Sequence, residues 1–200
     1  RLEELSPPPV PPAPLPETPA ASSVDVPPQG PRSAPLSCGL YNPMPGAFTA
    51  GYAADTGLDL AGIKMPVFAI ASGRVDYAEA GHSLWAGPGD TDFAVRIELD
   101  DPIELDDGRR VTHVWYAHLL ELAFDQAEGA PSRRRVIAGE YLGVSGRANG
   151  MWHLHLGLLL DGDPSQRAGT YLLEDEVRDV LCGLRAKQRL PLLPARAPAS

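Results

Sequence analysis

The sequence has no large concentration of positive charge. Its formal net charge is −9, and its one compact basic run is the triplet Arg133–Arg135. Proteins that read phosphate backbones usually carry a basic stripe or patch, so this composition argues against nucleic-acid binding. We expect the triplet to lie at a solvated loop edge.

Long hydrophobic runs are also missing. No stretch approaches 18 consecutive apolar residues, so the sequence predicts no membrane span. There is no initiator methionine and no hydrophobic signal core, and we therefore expect a mature or excised fragment.

Cysteine is scarce, with Cys38 and Cys182 as the two copies. A disulfide between them would close a loop over almost the whole domain, which chain-entropy arguments value at roughly 4–5 kcal/mol. The alternative is two unconnected small apolar residues. The sequence leaves both interpretations open.

Proline, in contrast, is abundant at the N-terminus. The first 36 residues hold 12 prolines and no aromatic residue. Such a segment buries too little apolar surface to offset its ordering entropy. We predict a disordered proline-rich linker over 1–37, a domain over 38–188 and a flexible tail over 189–200.

The central region shows short apolar runs separated by glycines, which is typical of strands and tight turns. We expect an antiparallel all-β core of the sandwich or barrel-like kind. Residues 120–128 suggest one or two helical turns, and apolar spacing over 171–187 predicts an amphipathic helix that packs on the sheet. Strands are predicted at 65–70, 93–99, 111–119 and 153–160.

Candidate functional residues come from three separated segments. Side chains alternate along a strand, so His153 and His155 should project from one face. His118 ends a second predicted strand in an apolar setting, where an unpartnered imidazole would be costly. Asp59 adds a carboxylate. His113 lies an odd number of positions from His118, and we expect it on the opposite face in a structural role.

The order of these motifs resembles the lysostaphin/LytM-type zinc metallopeptidases, which cut peptide cross-links of peptidoglycan. The resemblance covers about residues 46–162. It rests on Asp55-Thr-Gly-Leu-Asp59, Tyr116-Ala-His118-Leu119, the glycine run 139–146 and His153-Leu-His155. It implies an all-β LytM core with Asp59 and His155 as zinc ligands, and with His118 and His153 as catalytic residues beside a zinc-bound water. Trp85 and Trp152 are candidates for the groove wall, with core packing as the alternative.

Asp55 departs from the family pattern, because it stands where that family has its first histidine ligand. A carboxylate at this position would fall short of the metal by about 1.5–2 Å, and zinc distances tolerate only about 0.2 Å. An Asp55, Asp59 and His155 set would also carry two negative charges, which favours harder cations than zinc. The predicted cofactor is therefore zinc, and whether the protein binds it depends on the aspartate at position 55.

Three functional hypotheses follow. The first is an extracytoplasmic, degenerate LytM-like module that binds peptidoglycan peptides or an envelope protein that it regulates. The second is a metal-dependent peptidoglycan endopeptidase using Asp55, Asp59 and His155. The third is a carbohydrate- or small-ligand-binding β-domain without a cell-wall role.

Overall fold

The computed structural model describes residues 30–51, 54–84 and 86–184. The predictions for 1–29 and for the tail over 189–200 therefore concern residues outside the described part. In the described part, residues 30–37 contact the domain, since Ser33 N–H donates to Gly139 O (3.0 Å) and Arg32 bridges to Glu140.

The chain folds into strands and one short helix. The strands are β1 (Phe48–Thr49), β2 (Leu58–Ala61), β3 (Pro66–Phe68), β4 (Gly73–Ala80), β5 (Phe93–Glu104), β6 (Arg110–Leu122), β7 (Arg135–Val136), β8 (Tyr141–Ala148) and β9 (Met151–Leu160). The helix is α1 (Glu174–Val180). All strand pairings between these elements are antiparallel, which confirms the predicted all-β class.

The strands form one sheet in the order β1-β2-β9-β8-β6-β5-β4-β7, with β3 added beside β8. Strand β6 pairs with two neighbours in turn. Its first part, up to Ala117, lies beside β9, and its last part, from Leu119, lies beside β8. Strands β8 and β9 therefore diverge from each other, and β6 changes its pairing partner from β9 to β8 at His118.

Period-2 alternation separates the core from the site. Leu58 and Leu60 of β2 and Leu154 and Leu156 of β9 are fully buried in the main core. Because neighbouring residues on a strand face opposite sides, Asp59, His153 and His155 point away from that core. A smaller apolar group of Tyr77, Ala94, Trp115, Ala117 and Leu159 forms a second cluster.

Two local predictions need correction. Residues 120–128 form no helical turn: β6 continues to Leu122 and bends and turns follow. The C-terminal helix exists but is shorter than 171–187. Its start is delayed because Tyr171 bridges to Leu159 and Leu172 N–H donates to Leu158 O, which extends the sheet instead. Its end is near Cys182, which has a positive φ of 60°.

The two cysteines are joined. Cys38 and Cys182 form a disulfide with Cα atoms 5.8 Å apart. The bond ties the chain before β1 to the end of α1. In the described part of the chain, no helix has the length and apolar character needed to cross a membrane.

Candidate functional site

Strand pairing brings the site residues of β2 and β9 together. Asp59 lies opposite His155, and Ala61 lies opposite His153. Directly opposed residues share one face of an antiparallel pair. His155 Nδ1 is 2.8 Å from Asp59 Oδ1, and His153 Nε2 is 3.7 Å from the same oxygen. Asp59 is thus a shared partner for both imidazoles.

His118 joins this group from β6. Its ring centroid is 4.9 Å from that of His153 and 6.1 Å from that of His155. The residue is buried and has a φ of 61°, a left-handed conformation that is costly outside glycine. Strain of this kind, of about 1–3 kcal/mol, persists only where the surrounding structure enforces it. The change of partner strand at this position provides that constraint.

The loop between β4 and β5 holds the strained backbone of His118. His118 N–H donates to Ser83 Oγ (3.0 Å), and Thr91 Oγ1 donates to His118 O (3.0 Å). Thr91 Oγ1 also accepts from Arg147 N–H at 2.8 Å, which links the loop to β8. Both backbone polar groups of His118 are therefore satisfied by side chains.

Asp59, His118, His153 and His155 form a histidine cluster, and contacts within it shift the pKa values of Asp59 and His118. Burial and the neighbouring His153 and His155 lower the pKa of His118 to about 3, against the attraction of Asp59. Burial acts to raise the pKa of Asp59, but its hydrogen bond to His155 and the three nearby imidazoles leave that pKa below its ordinary value. At neutral pH the site holds a carboxylate beside a neutral, buried His118 whose Nδ1 has no hydrogen-bond partner in the described structure.

Asp55 lies at the entrance to β2 and makes contacts within its own loop. Its Oδ1 accepts from Thr56 N–H at 2.8 Å, and its carbonyl accepts from Glu174 N–H at 2.9 Å. Its Oδ2 lies 3.6 Å from the point that a Cβ on Gly51 would occupy. The loop is therefore fixed both by its own side chain and by the start of α1.

The predicted ligands can be tested for zinc by their spacing. Zinc holds oxygen and nitrogen ligands at about 2.0–2.2 Å, so any two ligand atoms on one ion are at most about 4 Å apart. Within the described ranges, the group of three histidine or acidic residues that lie within 4.8 Å of one another is Asp76, Glu98 and His113. Asp59 and His155 are hydrogen-bonded directly to each other, and Asp55 does not complete a close three-residue set with them. As they are arranged, the predicted ligands therefore do not fit zinc.

The Asp76, Glu98 and His113 group was not found from the sequence, because it depends on the register of β4, β5 and β6. Arg96 Nε donates to Asp76 Oδ2 (2.8 Å), and Arg133 bonds both Asp76 and Glu98. Burial lowers the pKa of His113 despite these two carboxylates. Two guanidinium groups already neutralise the acids, so the arrangement is a charge network that braces the sheet.

Of the two tryptophans considered for the groove wall, the structure describes Trp152 but not Trp85. Trp152 is half-buried, and the Lys64 ammonium lies 5.9 Å from its ring centroid. Trp85 lies outside the described residues.

Gly57 is sterically required beside the site. It has a φ of 80°, and a Cβ there would lie 2.6 Å from Leu156 O and 3.0 Å from His155 Nε2.

We expect Gly57→Ala to lower the free energy of unfolding by about 2–4 kcal/mol in urea denaturation, from the close contact added to the left-handed backbone. Gly108→Ala is the matched control: its φ is 87° and nothing lies within 4 Å of the added methyl. It should cost only about 1–2 kcal/mol, from the left-handed backbone alone. Equal losses in the two variants would contradict the steric explanation.

No protein-family model matches the sequence, and no curated protein matches it. Comparison with solved structures gives matches. Lysostaphin from Staphylococcus simulans is 21% identical with a TM-score of 0.45, covering 74% of this chain and 56% of that one. A putative peptidase M23 from Pseudomonas aeruginosa is 22% identical with a TM-score of 0.42, covering 66% and 50%.

The lysostaphin catalytic domain alone also matches, at 23% identity and a TM-score of 0.41, covering 63% of this chain and 88% of that domain. The chain spans about half the length of the first two proteins (56% and 50%). The solved structures to which this chain is similar thus include lysostaphin, the namesake of the family that its sequence motifs resemble.

Proposed function

We propose that this chain is a degenerate LytM-like module that binds peptidoglycan peptides, or a cell-wall hydrolase that it regulates, without efficient hydrolysis. The observation that carries the proposal is that four of the predicted site residues lie together, whereas the Asp55 carboxylate is hydrogen-bonded within its own loop. Asp59, His153, His155 and His118 are gathered, while the Asp55 carboxylate accepts from its own loop at Thr56 N–H. At the position where the resembled family has its first histidine ligand, this chain thus has a carboxylate, one oxygen of which is already hydrogen-bonded within its own loop.

The disulfide supports an extracytoplasmic location. Disulfides persist in oxidising compartments and are rare in the reducing cytosol. Cys38 and Cys182 are joined and no free cysteine exists among the described residues. A periplasmic, cell-wall or secreted setting is also where peptidoglycan or an envelope protein partner would be met.

A metal-dependent peptidoglycan endopeptidase is the second candidate. The histidine cluster itself favours this candidate. Three buried imidazoles and the largely buried Asp59 carboxylate are costly to hold together unless they bind or react with a polar group. Under this alternative the loop of Asp55 would rearrange so that its carboxylate joins Asp59 and His155.

Elemental analysis and a peptidoglycan assay separate the two candidates. We expect the unmodified protein to sediment with peptidoglycan, to contain far less than one zinc per chain and to release no soluble peptides. Asp55→His should raise the zinc content towards one per chain, because imidazole reaches further than carboxylate and adds no charge. Near-stoichiometric zinc together with hydrolysis by the unmodified protein would contradict the degenerate module.

Two control variants make the test specific. Asp55→Asn removes the same charge without supplying an imidazole, and it should not gain zinc. In the double variant Asp55→His/Asp59→Ala, the gain should disappear if the metal binds at this cluster. Retention of zinc there would place the metal elsewhere in the protein.

A further inference from the structure

A groove lies between the tip of the β5–β6 hairpin and helix α1, away from the histidine cluster. Its volume is about 410 Å³. Its exposed apolar surface comes from the half-buried side chains of Ile103, Leu105 and Val180. The lining also includes Leu172 of the segment that precedes the helix, which is fully buried. The hairpin and the helix therefore leave apolar surface between them that is wide enough to accept further side chains.

The rim of this groove is acidic. Five carboxylates line it, with a single guanidinium, so its formal net charge is −4; they are Glu104, Asp106, Asp107, Glu176, Asp179 and Arg109. Arg109 is already shared between Asp107 and Glu176, at 2.6 Å from each. Glu104, Asp106 and Asp179 are exposed and form no ion pair with the residues that the structure describes. A concave surface with this charge favours a positively charged segment.

The sequence itself continues into such a segment a few residues after Val180. The described structure ends at Leu184, four positions after Val180, and the sequence continues to Ser200. Residues 185–200 contain four basic side chains and no acidic one: Arg185, Lys187, Arg189 and Arg196. Leu190, Leu192 and Leu193 lie between the last two of them.

We propose that residues 185–200 of this chain dock in the groove between the β5–β6 hairpin and α1. The basic residues complement the acidic rim, and the leucines cover the apolar surface. Attachment so close to the groove gives the segment a high effective concentration there, of the order of millimolar for a short tether. This interaction is independent of whether the histidine cluster binds metal or hydrolyses peptidoglycan.

Docking would also affect the loop that carries Asp55 and Gly57, through hydrogen bonds with the segment that leads into α1. Leu172 lines the groove, and its carbonyl accepts from Gly57 N–H at 3.0 Å. Two residues later, Glu174 N–H donates to Asp55 O. An occupied groove would hold this strand-like segment in place, and through it the loop that carries Asp55.

Zero-length cross-linking of the full chain tests the proposal, because the sequence has just two lysines, Lys64 and Lys187. A carbodiimide joins an ammonium to a carboxylate in contact with it as an amide and takes up the water that is lost. We expect an intramolecular link from Lys187 to Glu104, Asp106 or Asp179, located by peptide mass spectrometry. Its yield should fall as salt is added, since exposed charges are screened within about 10 Å at 0.1 M.

Variants distinguish docking from mere tethering. In Asp106→Asn/Asp179→Asn, the remaining Lys187–Glu104 link should fall about threefold or more, because part of the attraction is lost. The matched control Glu121→Gln/Asp125→Asn neutralises two exposed acids outside the groove and should leave the yield unchanged. Leu192→Ser/Leu193→Ser should lower the yield similarly, although the charges and the tether are intact.

Three results would overturn the proposal. One is a Lys187 link spread over carboxylates outside the groove. Another is a yield that is insensitive to the leucine substitutions. The third is a link found between two chains, which would assign the groove to a second copy.

Discussion

Replacing both Cys38 and Cys182 with serine will lower the free energy of unfolding by about 5 kcal/mol, the largest stability change that we expect from a paired substitution. The two residues are 144 positions apart in sequence. In the chain-entropy description, a cross-link over a loop of this length removes that much conformational freedom from the unfolded chain. Typical domains are stable by only about 5–15 kcal/mol, so the variant should be close to unfolding.

The effect should be visible in two measurements. Guanidinium denaturation of the oxidised protein and the double-serine variant gives the stability difference, and the reduced unmodified protein should match the variant. Hydrogen exchange should show faster opening of the segment 171–174, which pairs with β9 and with the site loop. A stability difference below about 1 kcal/mol would show that native-state strain or residual structure cancels the entropic gain.

Acidification will destabilise the protein through His118. Its folded pKa is lowered to about 3, while an unfolded histidine titrates near 6.5. Between these two values the unfolded state binds a proton that the folded state does not, so the free energy of unfolding falls as the pH falls from about 6.5 towards 3. The full difference corresponds to roughly 3–5 kcal/mol.

The contribution of His118 can be isolated with His118→Asn. Asparagine tolerates the left-handed backbone at this position better than most residues, and it does not titrate. Urea denaturation at several pH values should show that the unmodified protein loses more stability than the variant between pH 6.5 and 3. Parallel pH profiles for the two proteins would mean that His118 is protonated without cost in the folded state.

Several parts of the fold could be predicted because they are local patterns. The alternation in residues 153–160 places His153 and His155 on one face, and both rings approach the same Asp59 oxygen. The all-β class follows from short apolar runs and glycine turns. Where a local pattern was ambiguous, the prediction was wrong, as for residues 120–128, because pairing with β8 extends β6 where the sequence alone also suits a helix.

The arrangement of the site depends on contacts that no local pattern encodes. Asp59 and His155 are 96 positions apart, and their hydrogen bond depends on the register of β2 on β9. The Asp76, Glu98 and His113 network likewise requires three strands in register. A one-residue slip of either pairing would turn these side chains to the other face.

The sequence by itself determined the strand pattern, the shared face of His153 and His155, and the presence of aspartate where the resembled family has histidine. The tertiary structure alone decided that Cys38 meets Cys182, that His118 lies strained where β6 changes partner, and that the loop of Asp55 is hydrogen-bonded to the start of α1. The reason is physical. Side-chain alternation is a property of a few consecutive residues, whereas these three features are fixed by packing and hydrogen bonds between distant segments.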